Sequence, residues 1–346
     1  MAYSTINKST TQFNVLTWTG DGTSSRDITG AGFQPDLSLI KQRNGTFSWV
    51  IGNSTSGDNK FLVSNSNAAE STDSTKFRTF VSDGIQVGSH GGVNGNSNTY
   101  AAFNVKGNGG TEVSNTDGTI TSNVQVNSTN GFSIVRYTGD GNSGSTVGHG
   151  LGSTPDFVIS KHYSTTGDWN IYHESFSSQE RIKLNSDGAK NTNSTIFNAL
   201  PNSTVITMGN GGDINTNGGS HYFWCFKSIP GFSKFGTWTG NASTDGPFNY
   251  TGFKPTMLIW KRSDAINDWF LVDSTRDEGN ETDASLFPGL NGAESIGNGY
   301  NGVDFLSNGF KVRQANAGCN ASGGTYLWMA FGQTLVGSNN VPCTAR

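Results

Sequence analysis

One strand-like phrase is written three times. "GFQPDLSLIK" (Gly32 to Lys41), "GSTPDFVISK" (Gly152 to Lys161) and "GFKPTMLIWK" (Gly252 to Lys261) share the glycine, the proline and the closing lysine. Pro35, Pro155 and Pro255 lie 120 and 100 residues apart, and other landmarks keep the same intervals. Trp49, Trp169 and Trp269 each follow their lysine by eight residues. Upstream stand "WTGDG" from Trp18, "YTGDG" from Tyr137 and "WTGNA" from Trp238. Downstream, "NTYAAF", "SHYFWCF" and "GTYLWMAF" close each unit, which aligns Tyr100, Tyr222 and Tyr326. A chain that repeats itself at this period is constrained to build one unit several times.

The period within the phrase gives its local structure. Alternate residues after each proline are apolar and end in lysine: Leu37, Leu39, Lys41; Phe157, Ile159, Lys161; Met257, Ile259, Lys261. Period two is a strand with one buried face, and proline suits a strand's first position. The lysine is expected to bury its stem and keep its ammonium wet. The tryptophan is expected to plug a core. "SDGIQVG" (Ser82 to Gly88) and "SNGFKVR" (Ser307 to Arg313) open on turn chemistry and lead into further strands. The fold expected is all-β: three sequential antiparallel β-sandwich modules, jelly-roll-like, of about 100 residues each. Expected boundaries are 1–106, 130–230 and 231–332, with a Ser/Thr/Asn/Gly-rich linker or arm at 107–129 and a C-terminal tail at 333–346. The short "SIPG" connection (Ser228 to Gly231) predicts that the second and third modules pack as a rigid pair.

Composition agrees. Glycine supplies 47 of 346 residues and charged residues only 14%, against a usual share of about 25%. The 22 Phe, 9 Tyr and 8 Trp provide enough aromatic area for cores and argue against disorder. The net charge of −4 comes without a basic stripe, so no nucleic-acid partner is expected. No apolar run approaches the length of a membrane helix, so membrane insertion is not expected either. "MAYSTINKSTTQF" has no apolar core of a secretory signal. Cys225, Cys319 and Cys343 fit neither a disulfide framework nor a zinc site. Cys225 reads as core, the other two as free thiols.

Catalysis needs a constellation. The five histidines, His90, His149, His162, His173 and His221, show no metal-ligand spacing. His149 reads as a turn residue. Asp21, Asp140, Asp245 and Asp273 could pair as glycosidase carboxylates only if folding brought two together; loop aspartates usually cap turns. Asp21 to Asp27 lacks the alternating oxygens of a calcium loop. His162 and His173 with Asp168 form the densest cluster. The matched positions of the repeat are turn and core residues. The expectation is therefore no catalytic residue, no cofactor and no metal, with any ligand-binding residues unassigned.

The wording of Gly131 to Tyr163, Pro230 to Arg262 and Val303 to Gly332, with the opening "MAYSTINKST", resembles a family of virion structural, tail-fibre-like proteins of marine tailed phages. The resemblance implies a non-enzymatic particle component, assembled in the bacterial host cytoplasm and exposed on the extracellular virion. Its implied partners are other capsid or tail proteins, further copies of itself, and host-surface polysaccharide bound by an adhesive, tail-fibre-like surface. The alternative is a capsid decoration or tail subunit whose contacts all serve assembly; a glycan depolymerase comes third. Lys106 to Asn130 or the tail from Gly332 would supply an anchor.

Overall fold

The computed structural model describes residues 6, 8–297 and 302–334. Cys343 and the tail beyond 334 lie outside the described residues. The chain is almost wholly antiparallel β; the helical segments among the described residues are Gly212–Asn215 and the short turn Ser9–Thr11.

One sheet order recurs. Phe13–Thr19, Thr99–Val105, Leu37–Gln42 and Val50–Asn53 lie side by side in that order. So do Phe132–Thr138, Ser220–Phe226, Phe157–His162 and Asn170–His173, and so do Ser233–Thr239, Thr325–Thr334, Phe253–Arg262 and Trp269–Asp273. Each has a smaller companion sheet, built on Arg26–Thr29, Thr146–Gly148 and Phe248–Tyr250 respectively. The glycine that opens the repeated phrase has φ of +81° at Gly32, +66° at Gly152 and +84° at Gly252. A side chain would strain that left-handed turn, which accounts for glycine at all three places.

The large sheets are buried on both faces. On one face Leu16, Trp18, Ile40 and Val50 pack against Ile28, Phe77 and Ile85 of the companion sheet. Trp238, Leu258 and Trp260 likewise meet Phe305, Phe310 and Val312. The other face, carrying Leu37, Phe157 and Met257, joins Ile51, Ile171, Leu271 and Phe103, Trp224, Met329 in one core drawn from all three repeats. Leu39, Ile159 and Ile259, the next alternate positions, also line it. The three sheets therefore turn their backs to a common centre, where an apolar cavity of about 50 Å³ remains. Each fully buried Leu or Ile there contributes about 2 kcal/mol. An isolated repeat would expose this face to water.

Three expectations change in detail. Residues 107–129, expected as a linker or arm, carry Val113–Asn115 and Ser122–Asn127, which add two strands to the second sheet, so that it reaches eight strands. Ile120 also bridges Val147, covering the edge of the companion sheet there. The closing tyrosine is one residue out of register in the second repeat. Tyr100 pairs with Trp18 and Tyr326 with Trp238, but Tyr137 pairs with His221. Because side chains alternate between faces, Tyr222 falls on the shared face with Ala101 and Leu327, and His221 takes the tyrosine's place. Third, the wet lysines are not wet: Lys41, Lys161 and Lys261 are 0, 1 and 0% exposed.

Candidate functional site

The repeated lysine and tryptophan meet at the seams between repeats. The Trp169 indole N–H donates to the carbonyls of Val63 at 3.1 Å and Ser66 at 3.0 Å in the first repeat. Trp269 donates to Lys183 of the second at 2.9 Å, and Trp49 to Phe287 of the third at 2.9 Å. The Lys161 ammonium donates to the carbonyls of Asn67 and Gly167, and that of Lys261 to Asp187 and Arg262. Backbone N–H groups repeat the pattern: Glu70 to Tyr163, Lys190 to Ser263 and Glu294 to Arg43. Each repeat thus grips its neighbour by the same indole and backbone N–H groups, and the set closes head to tail as a ring. Burial pushes all three lysine pKa values down to about 8.

A second device holds the loops at the strand ends. Asn94 donates through Nδ2 to Asp21 at 2.8 Å, Asn215 to Asp140 at 3.0 Å and Asn320 to Asn241 at 2.9 Å. All three donors are fully buried. Each stands six residues before Tyr100, His221 or Tyr326, an interval that is uniform only in the corrected register. Hydrogen bonds from Thr23 and Asn94 hold the Asp21 carboxyl at about 2. At Asp140 burial opposes this, but bonds from Ser145, Asn142 and Asn215 prevail and again give about 2. These aspartates cap loops.

The other candidates are dispersed. Asp245 is exposed beside Lys311, and Asp273 is buried in an ion pair with Arg276. His149 is buried in its turn, its Nε2 3.1 Å from the Asn202 carbonyl. His90 packs edge-on against Phe47. His162 stacks on His221 with ring centroids 4.1 Å apart, whereas His173 packs against Phe157 and Phe176 and contacts the Ser175 hydroxyl. Asp168 pairs with Lys183. Burial lowers His173 to about 4 and His221 to about 3, so both are neutral at pH 7. Cys225 and Cys319 are buried, and burial pushes both thiols up to about 12. Among the described residues no group of three His, Cys, Asp or Glu side chains could hold a metal ion.

An open crevice lies where the second and third repeats meet. It has a volume of about 290 Å³ and is lined by Asn185, Ser186, Asp187, Asp268, Trp269, Gly289 and Leu290. The Lys261 ammonium fixes its wall by bonding the Asp187 carbonyl at 2.8 Å. Burial raises the Asp268 pKa, and the nearby Asp187 raises it further. Two carboxylates beside an exposed Leu290 offer hydroxyl acceptors next to an apolar edge. Sequence reasoning missed this pair because Asp187 and Asp268 are 81 positions apart and Asn67 and Asp168 stand at the matching places of the preceding seam.

No curated protein matches the chain. The model of one family, described as a domain of unknown function, covers residues 8–334, nearly the whole ring of repeats. The chain belongs to that family, DUF7483.

Proposed function

We propose that the chain is a non-enzymatic surface protein of a bacteriophage particle, tail-fibre-like, with an adhesive role toward host-surface polysaccharide. The observation that carries this reading is the shared core closed by the seam bonds. Such a body is held by apolar packing and backbone hydrogen bonds, and it leaves polar, Asn- and Gly-rich loops free to diversify as contact surfaces. Three repeats would offer repeated contacts and so raise avidity. Its partners would be neighbouring capsid or tail proteins and further copies of itself, with assembly in the host cytoplasm. The resemblance to tailed-phage structural proteins points the same way.

A second reading, a decoration or tail subunit engaged only in assembly, draws on one observation. Phe248 and Tyr250 are 47 and 52% exposed on the edge strand of the third companion sheet, the edge that residue 120 covers in the second. Exposed aromatic side chains on an edge strand suit a protein neighbour. Antibody labelling of intact particles by electron microscopy, with binding of the purified chain to host cells, tests both. Label on the particle surface and saturable cell binding support adhesion. Label on the particle without cell binding supports the assembly reading, and particles without label contradict both.

A further inference from the structure

The first repeat and the segment that follows it enclose a polar pocket that neither sequence nor repeat pattern announces. It has a volume of about 150 Å³. Phe77 and Phe80, with ring centroids 4.9 Å apart, form an aromatic side, and Gln34, Asn53, Asp58 and Thr79 supply polar groups. One wall is the turn at Gly109 and Gly110, both in the left-handed region at φ +62° and +77°. That wall is fixed in place. The Asp36 carboxylate accepts from the N–H groups of Gly107 at 2.6 Å, Gly109 at 3.1 Å and Gly110 at 2.7 Å. Gln125 accepts from Asn108 at 2.7 Å and donates to the Ser54 hydroxyl at 2.8 Å.

Asn53 is the telling residue. It is 2% exposed; its Oδ1 accepts from Thr55, while its Nδ2 has no hydrogen-bond partner. A buried donor left unmade is costly, so a ligand acceptor at this place would be strongly selected. The matching positions elsewhere are occupied differently: His173 by Ser175 and Phe176, and Asp273 by Arg276. The pocket thus takes its unpaired amide from the first repeat and depends on residues 107–110 for its wall.

We propose that this pocket binds one neutral sugar residue of a glycan, with Phe80 against its C–H face and Asn53 and Asp58 on its hydroxyls. The volume suits a single pyranose ring, and the Asp58 carboxylate disfavours an acidic sugar. The proposal deepens the adhesive reading and rests on it for the source of the glycan. The test is titration of the full ¹⁵N-labelled chain with glucose, galactose, N-acetylglucosamine and glucuronate, followed through the Asn53 side-chain amide. Saturable shifts of that amide with a neutral sugar are expected, weakened tenfold or more by Phe80→Leu; in Asn53→Ala, which lacks the reporter, the backbone amides of Gly109 and Gly110 in the pocket wall are followed and should show the same loss. Spectra of the free variants report whether the fold is kept. No shift with any neutral sugar, shifts confined to other residues, or a preference for glucuronate overturns the proposal. Binding of the chain to whole host polysaccharide is measured in parallel. If it persists unchanged in both variants, the pocket is refuted while adhesion stands; if it is absent although the amide still titrates with a neutral sugar, adhesion fails and the pocket stands.

Discussion

The seam between the first and second repeats and the seam between the third and first use the same positions differently. At the former, the Lys161 ammonium crosses to the Asn67 carbonyl and Trp169 makes two crossing bonds. At the latter, Lys41 turns back to its own carbonyls at Gln42 and Gly45, and Trp49 makes one crossing bond. An ion network takes over there: Arg43 pairs with Glu294, and Glu294 with Arg276, which also holds Asp273. Arg276 and Asp273 are fully buried. The first seam is tethered by residues 106–130, whereas no short connection holds the third against the first. A joined seam starts from a high effective concentration; the closing seam must hold by contacts alone. Charges fixed by several partners supply geometry as well as attraction.

The largest effect should come from the closing seam. Arg276→Ala leaves Asp273 buried without its cation and should cost about 4 kcal/mol in denaturant unfolding. Replacing the network together, Arg276→Met with Asp273→Asn and Glu294→Gln, should recover most of that loss, because buried ion pairs add little net stability over apolar packing. If the single variant costs less than about 1 kcal/mol, the contrast between seams is mistaken.

Next come the indoles. Trp169→Phe removes the single indole N–H that two carbonyls share, leaving both without it, and should cost about 2 kcal/mol, against about 1 kcal/mol for Trp49→Phe, which leaves one. Equal losses in paired unfolding curves would show that packing alone decides both.

The lysines give a pH signature. Their pKa falls from 10.5 when unfolded to about 8 when folded. Between those values the unfolded chain binds more protons, so stability rises with pH. The buried thiols act oppositely above about pH 9, since burial raises theirs. The clean window is therefore pH 7.5 to 9. Lys161→Met should flatten the slope there by about a third; an unchanged slope would show that the lysine does not titrate in that window.

What the sequence made legible was the repeat and its strand. Period two, the turn glycine and the proline specify local geometry, and all are visible in a single phrase. The shared core was not legible, because alternate apolar residues say that one face is buried but not against what. Leu39, Ile159 and Ile259 look the same whether they cover a private sandwich or a common centre. The buried lysines misled for a related reason: a lysine at a strand end is usually wet, and only the carbonyls that folding gathers around the ammonium, from its own repeat or the next, let it be dry. The slip at Tyr222 was visible in principle, since the spacing from Asn215 to His221 matches Asn94 to Tyr100 and Asn320 to Tyr326. The candidate crevice joins residues from two repeats and the sugar pocket joins a repeat to residues 107–110, so neither has a local motif.

The central claim is that three like sheets form one body. Differential scanning calorimetry of the full chain measures this most directly, by comparing calorimetric with van't Hoff enthalpy. A shared core predicts one transition with a ratio near 1. Two or three resolved transitions, or a ratio approaching 3, would contradict it, because repeats that melt separately cannot depend on a common centre.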